Sequence, residues 1–255
     1  MKKEQYLPLV SFFSSLLLYL GISFLPIQKW VEPLWAVNLI QSGIYLVLLL
    51  ILFLDSKDRK IPDRETKPSY FYLLPFLLLC CSNFLYVLFF RISPNVSYQS
   101  SVFFSSLFLT LIKTGIEEVL FRKLLLVFTL NLRKPIKHKE VYTILLVSIC
   151  FGLRHAINYY GNDPLSVTSQ IGYTFFLSLF LTSYSILYSS TMLSYLFHFL
   201  FNLLNSLLFT SFFKIETTPK YFIFSIILGF ILLLFYLLLW FIKYKGKKKH
   251  AQPEL

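Results

Sequence analysis

The sequence predicts an all-α fold, a polytopic bundle of about eight transmembrane helices with both termini in the cytoplasm. Of the 255 residues, 56% are hydrophobic and only 14% are charged, whereas a soluble domain carries roughly a quarter charged residues. The apolar residues come in blocks of about 20, the length that crosses the hydrocarbon core of a bilayer. Basic residues flank these blocks, as the positive-inside rule requires of membrane helices.

Hydropathy places eight apolar segments along the chain. The first follows a short basic start, and no small-residue cleavage site comes after Phe24 and Leu25. We therefore expect an uncleaved first transmembrane helix, not a signal peptide. The segments are expected at roughly 7–26, 36–54, 69–90, 102–132, 141–160, 165–187, 190–212 and 221–242.

Individual residues mark the segment edges. Asp163 and Thr218 each precede a proline, the order typical of an N-cap followed by the first helical residue. Pro75 falls inside the third segment, where a proline is expected to kink a helix. The three cysteines lie within apolar segments without metal or redox spacing, so we interpret them as packing residues; they are Cys80, Cys81 and Cys150.

The distribution of lysine and arginine predicts the orientation. Sixteen of these residues lie at the termini or in loops on the side of the N-terminus, and four lie in loops on the other side. This asymmetry places both termini in the cytoplasm. The net charge of +12 is thereby explained by basic residues in loops and at the termini, where they orient the helices in the membrane. We expect the lipid bilayer to be a partner and nucleic acid not to be one.

Charged residues inside the apolar segments are few and lie close together in the sequence. Each costs several kcal/mol at membrane depth unless it is paired or used. They fall within residues 100–212, between an N-terminal part at 1–99 and a last helix with a basic tail at 213–255. The six residues are Lys113, Glu117, Glu118, Arg122, Lys123 and Arg154.

The fourth segment separates its two glutamates by helical geometry. Glu118 and Arg122 are four residues apart, the favourable order for an ion pair on one face. Glu117 points about 100° away from Glu118 and is left to face another partner. Lys113 is also four residues from Glu117 and would neutralise it in a second intrahelical pair. This helix alone does not decide between structural pairs and a functional site.

Two later segments carry polar pairs at the same helical spacing. Phe151 and His155 share a face, with Gly152 between them to allow close helix approach. His198 and Asn202 share a face of the seventh segment. Polar pairs projecting from three separate membrane helices are difficult to explain by packing alone.

Two chemistries suit these side chains. Glu117 and His155 would polarise a water molecule as general base and partner, while His198 and Asn202 stabilise the oxyanion. Alternatively, Glu117, His155 and His198 would bind zinc with an open position for water. The sequence lacks the compact His-Glu-x-x-His signature, and spacing does not decide between the two.

In order along the chain, the motifs Glu117-Glu118-x-x-x-Arg122, Phe151-x-x-x-His155 and His198-x-x-x-Asn202 resemble those of one family. This is the CPBP (CAAX protease and bacteriocin-processing) family, which includes type II CAAX prenyl endopeptidases and bacterial Abi proteins.

The resemblance implies a glutamate-dependent intramembrane endopeptidase, with catalytic residues Glu117, His155, His198 and Asn202. The structural support would come from Glu118, Arg122 and Phe151. No cofactor is favoured, although zinc is an alternative. The expected partners are a peptide or membrane-protein substrate, and the expected location is the bacterial cell membrane. Prenylated substrates do not follow from the sequence.

Two further functions remain open at this point. One is a non-catalytic bacteriocin-immunity or scaffold protein of the same fold that binds a partner peptide. The other is a small-ion or proton transporter that uses the same carboxylates. Lys113 and Arg154 oppose the catalytic interpretation, because one competes for Glu117 and the other places a cation beside His155. Counting residues along the segments also places Glu117, His155 and His198 at different membrane depths.

Overall fold

The computed structural model describes residues 7–62, 73–90, 99–132, 138–207 and 219–250, with side chains up to 205 in the fourth range and up to 238 in the last. Within these ranges the regular secondary structure is helical throughout. The α-helices are α1 Leu7–Ser23, α2 Leu34–Ser56, α3 Leu74–Cys80, α4 Ser82–Phe90, α5 Ser100–Glu118, α6 Leu126–Leu130, α7 Lys139–Arg154, α8 Pro164–Tyr188, α9 Thr191–Asn202 and α10 Pro219–His250.

Five of the described helical stretches are long and apolar enough to cross a membrane. They are Leu7–Lys29, Leu34–Ser56, Lys139–Tyr159, Pro164–Tyr188 and Pro219–Leu238. Large apolar side chains lie exposed on the outside of the bundle, for example Leu17 and Leu88, while charged side chains are buried inside. The chain is therefore an all-α integral membrane protein, as the sequence predicts.

The predicted count of eight spans is not confirmed by the described residues. The third apolar segment forms two short helices, α3 and α4, that meet at Cys81. The seventh contains α9, which is only 12 residues long and continues as a π-helical segment at Leu203–Leu207. Residues 69–72 and 208–212 of these two segments lie outside the described ranges.

The expected kink at Pro75 is wrong. Pro75 lies in the first turn of α3. The N–H groups of a first turn have no partner within the helix, so a proline, which lacks this group, is well suited to the start of a helix. The predicted cap at Asp163 is confirmed, because its carboxylate accepts a 2.8 Å hydrogen bond from the backbone N–H of Ser166. Thr218, the other predicted cap, lies outside the described ranges.

Helix α5 lies at the centre of the site, and the chain remains helical beyond its end. A π-helical segment, Val119–Leu125, follows Glu118 directly and leads into α6. Such widened turns occur frequently at functional sites, because they re-aim side chains within an otherwise regular helix. Helices α2 and α9 pack along α5, and α1 packs against the π-helical segment. The N-terminal helices therefore reach the part of the chain that carries the sequence motifs.

Helix α8 supports the other side of the site by packing against both α7 and α10. Gly152 makes the α7 contact possible, because a Cβ atom there would lie 3.1 Å from the carbonyl oxygen of Ile171 and 3.3 Å from Cβ of Phe175. The close helix approach predicted for Gly152 is confirmed. It fixes the end of α7, where Arg154 and His155 follow.

Candidate active site

Glu118 is buried and is held by three side chains from two helices. Its Oε2 lies 3.5 Å from Nε of Arg122 and accepts a 2.5 Å hydrogen bond from the Ser194 hydroxyl. Its Oε1 lies 2.8 Å from Nδ1 of His198. The expected partnership with Arg122 is present, and His198 adds a contact that the sequence did not predict.

Arg122 extends this support to two further helices. It is fully buried, its Nη2 donates to the Ser178 hydroxyl of α8 at 3.2 Å, and its guanidinium lies 4.6 Å from the ring centre of Phe151 on α7. The three residues expected from the sequence to support the site, Glu118, Arg122 and Phe151, therefore form one chain of contacts. A buried charge held in this way stabilises the fold only while its partners are present.

Glu117 faces different partners from Glu118. Its Oε1 lies 2.7 Å from Nη2 of Arg154 and accepts a 2.8 Å hydrogen bond from the Tyr19 hydroxyl. Of the two interpretations that the sequence left open for Glu117, the intrahelical pair with Lys113 is not formed, because Arg154 of α7 takes the position beside the carboxylate. The Lys113 ammonium lies instead over the Tyr45 ring, 5.6 Å from its centre.

His198 lies between the two glutamates. Because the Glu118 carboxylate accepts a hydrogen bond from Nδ1 at 2.8 Å, the Nδ1 atom carries the hydrogen. The other ring nitrogen, Nε2, lies 3.6 Å from Oε2 of Glu117. This nitrogen is the one that is available to exchange a proton with Glu117 or with a water molecule beside it.

In His155 the engaged ring nitrogen is Nε2, whereas in His198 it is Nδ1. His155 begins the 3₁₀ turn His155–Tyr159 after α7, and its Nε2 lies 3.1 Å from Nη2 of Arg154. A guanidinium only donates hydrogen bonds, so Nε2 of His155 accepts and the hydrogen lies on Nδ1. In this arrangement Nε2 is engaged by Arg154, and His155 keeps one N–H donor, on Nδ1.

The sequence-predicted residues lie close together despite the unequal depths that counting gave. Glu117 and His198 approach to 3.6 Å. The Nη2 atom of Arg154 contacts both Glu117 and His155, so these two residues lie within the span of one bridging water. Helix α7 ends at Arg154, several residues before the predicted end of its segment.

Asn202 lies one turn beyond His198 on α9 and lines the same space. Its side-chain amide donates a 3.0 Å hydrogen bond to the Thr114 hydroxyl of α5. An amide nitrogen carries two hydrogens, so one remains for another acceptor. The structure thus brings all four predicted catalytic residues to one site, with Asn202 at its edge, hydrogen-bonded to Thr114 of α5.

A cavity of about 660 Å³ adjoins these side chains, a volume typical of ligand-binding sites. Glu117, His155, His198 and Asn202 all line it, together with Lys113 and Arg154. Hydroxyl and amide side chains from α4, α8 and α10 complete much of its wall. Its polar character contrasts with the apolar outer surface of the bundle.

The side-chain arrangement does not fit the zinc alternative. Among the residues that the structure describes, no three His, Cys, Asp or Glu side chains are grouped as metal ligands. Arg154 lies against both Glu117 and His155, and a guanidinium beside two of three supposed ligands would repel a divalent cation. No catalytic step is therefore assigned to a metal.

Sequence reasoning missed two partners of Glu117. Tyr19 carries no signal that distinguishes it from the other 16 tyrosines. Arg154 did carry one, because an arginine within an apolar segment needs a counter-charge, and Glu117 was the unassigned carboxylate. Because Arg154 is next to His155 in the sequence, its charge is expected to oppose protonation of the histidine. In the structure its side chain contacts both His155 and Glu117.

The fold and the site define a helical membrane protein with buried carboxylate, imidazole and guanidinium groups around a polar cavity. Residues 99–204 match the family model described as "Type II CAAX prenyl endopeptidase Rce1-like", and this match supports a relation of that part of the chain to the CAAX protease family. The matched range includes every motif residue named above. No curated protein and no solved structure matches the chain significantly.

Proposed function

We propose that the chain is an intramembrane endopeptidase in which Glu117 activates the water that attacks a peptide bond. The observation that carries this proposal is the pair formed by Glu117 Oε2 and His198 Nε2, 3.6 Å apart at the wall of a polar cavity. A buried carboxylate facing an imidazole in a cleft is a typical acid–base arrangement. The match to a protease family supports the same reaction class.

Hydrolysis requires one proton to move from water to the leaving nitrogen. In the proposed reaction, Glu117 Oε2 takes a proton as the water oxygen bonds to the substrate carbonyl carbon. His198 Nε2 lies beside that carboxylate oxygen and relays the proton to the amine as the C–N bond breaks. Glu118 holds His198 in the required tautomer through Nδ1.

The negative charge on the carbonyl oxygen needs donors that are already in place. Asn202 retains one amide hydrogen, and His155 carries its hydrogen on Nδ1. Arg154 adds a positive charge, since its side chain lines the cavity. We therefore assign oxyanion stabilisation to Asn202, His155 and Arg154, with His198 kept for the proton.

This mechanism uses no metal, and a chelator tests that feature. We expect the purified protein in detergent to cleave peptides at the same rate before and after treatment with 1,10-phenanthroline. The measurement is product formation by mass spectrometry from a peptide library that contains secreted leader sequences. Inhibition by the chelator that added zinc reverses would contradict the assignment of all steps to the side chains.

The substrate is proposed to be a peptide that reaches the cavity from the membrane or its surface, such as an exported peptide precursor or a membrane-protein segment. The alternative of a non-catalytic immunity or scaffold protein predicts that the function survives loss of the Glu117 carboxylate. The bacterial cell membrane is the proposed location. The family match does not favour the non-catalytic alternative.

The proposed orientation of eight spans with cytoplasmic termini has a consequence for the cavity. Its wall includes Ser23 at the end of α1, Asn158 after α7 and Tyr221 near the start of α10. In the proposed orientation these positions lie at the end of the bundle opposite the end of α2 at Ser56 and the end of α6 at Leu130. The cavity therefore extends from the middle of the membrane toward the extracytoplasmic side.

Cysteine labelling tests this orientation. In a variant with all three native cysteines replaced by alanine, we expect Tyr160→Cys to react with a membrane-impermeant maleimide on intact cells, because Tyr160 is 83% exposed in the turn after α7. Lys57→Cys, at the exposed end of α2, should react only after lysis. The reverse pattern would contradict the proposed orientation.

A further inference from the structure

The charges that line the cavity do not balance. Among the described residues in its wall, Lys113 and Arg154 are cationic and Glu117 is the one carboxylate, beside the two imidazoles of His155 and His198. Glu118 and Arg122 form their own pair behind the wall. At least one cation is therefore in excess at membrane depth, where an uncompensated charge is unfavourable.

Lys113 is the cation without a carboxylate. Arg154 lies 2.7 Å from Oε1 of Glu117, and no acidic side chain within the described ranges lies in ion-pair distance of Lys113. The contact of its ammonium with the Tyr45 ring offsets part of the charge but leaves hydrogen-bond donors unused, since an ammonium has three. These donors belong to a side chain that lines the cavity.

The position of Lys113 relates it to the proposed reaction. Lys113 and Glu117 lie one turn apart on α5 and both line the cavity, about 6 Å apart along the helix axis. Thr110 and Thr114 flank Lys113 on the same wall and add hydroxyl groups. An extended peptide advances about 3.3 Å per residue, so a group within a few residues of the reacting bond reaches Lys113.

We propose that Lys113 binds a carboxylate of the substrate, placed within a few residues of the bond that Glu117 attacks. A carboxylate supplies a negative charge that offsets the excess of cations in the cavity, and it accepts hydrogen bonds from the ammonium and the threonine hydroxyls. The carboxylate is either the C-terminus of the peptide or an Asp or Glu side chain. The position of the reacting bond rests on the proposed function, whereas the carboxylate site rests only on the charge balance.

Peptide retention tests the site without requiring hydrolysis. The full-length protein in phosphatidylcholine nanodiscs is incubated with degenerate ten-residue apolar peptides in three forms. These have a free C-terminal carboxylate, a C-terminal amide, or a C-terminal amide with one internal glutamate. We expect the wild type to retain at least one carboxylate form about tenfold better than the plain amide, and the form retained identifies the source of the carboxylate.

Substitution of the lysine completes the test. We expect Lys113→Met to remove the preference and Lys113→Arg to keep it. The matched control is Lys123→Met, because Lys123 also lies over an aromatic ring, 5.0 Å from the centre of Phe53, but does not line the cavity. This variant should behave as the wild type.

A wild type without preference, or a Lys113→Met variant that keeps it, would overturn the proposal. Retention of the preference by a protein that cleaves none of the peptides would refute the peptidase function and leave the carboxylate site standing.

Discussion

Replacing Glu117 by Gln is expected to lower the rate of peptide cleavage by at least about a hundredfold, because general-base catalysis contributes 10²- to 10⁴-fold. The amide cannot take a proton from the attacking water. It also removes the counter-charge of Arg154, which lies 2.7 Å away. The measurement is the initial rate of product formation by purified protein at equal concentrations of folded enzyme.

A second substitution separates the chemistry from the ion pair. Glu117→Asp keeps the negative charge for Arg154 but withdraws the carboxylate from His198, and a displacement of about 1 Å costs up to about a hundredfold in rate. We expect Glu117→Asp to remain folded, with its midpoint of thermal unfolding near that of the wild type, and to be nearly inactive. Glu32→Gln, on an exposed connection, is the control and should retain full activity. Full activity in both Glu117 variants would favour the non-catalytic alternative.

Replacing Arg122 by Met is expected to cause the largest loss of stability. Removing one partner of a buried ion pair costs about 3–5 kcal/mol, because the other charge is left without compensation. Here that charge is Glu118, and the substitution also removes the contacts of Arg122 with Ser178 and Phe151. Thermal unfolding of the purified protein in detergent measures the loss as a lower midpoint.

The double variant Glu118→Gln with Arg122→Met identifies the cause of that loss. We expect it to regain much of the stability, since no buried charge remains unpaired, but to stay poorly active because His198 loses its anionic partner. Lys123→Met, which removes the neighbouring cation from a partly buried position, should shift the midpoint little. Equal stability of Arg122→Met and Lys123→Met would show that Arg122 does not support the site.

Much of the site was predictable from the sequence because buried charges in an apolar chain are rare and costly. That rule singled out Glu117, Glu118, Arg122 and Arg154 without any knowledge of the fold. Helical spacing then paired Glu118 with Arg122, since a four-residue separation lies within one helix and needs no tertiary information. The same spacing also allowed a pair of Lys113 with Glu117, which does not form because a cation from another helix lies closer.

The contacts between helices were not predictable in this way. Tyr19 reaches Glu117 from a helix 98 residues earlier in the chain, and no local pattern marks such a pair. The link between Glu118 and His198 depends on the π-helical segment after Glu118 and on how α9 packs against α5. The division of the third apolar segment at Cys81 was also missed, since hydropathy does not register a break between two equally apolar helices.

The central claim is that this protein hydrolyses a peptide bond with water activated by Glu117. Its most direct test is cleavage in ¹⁸O-labelled water by purified protein in nanodiscs, followed by mass spectrometry of the products. The account predicts one ¹⁸O atom in the new carboxylate formed by the wild type and no product from Glu117→Gln. Product formation by Glu117→Gln at the wild-type rate, or unlabelled product from the wild type, would contradict it.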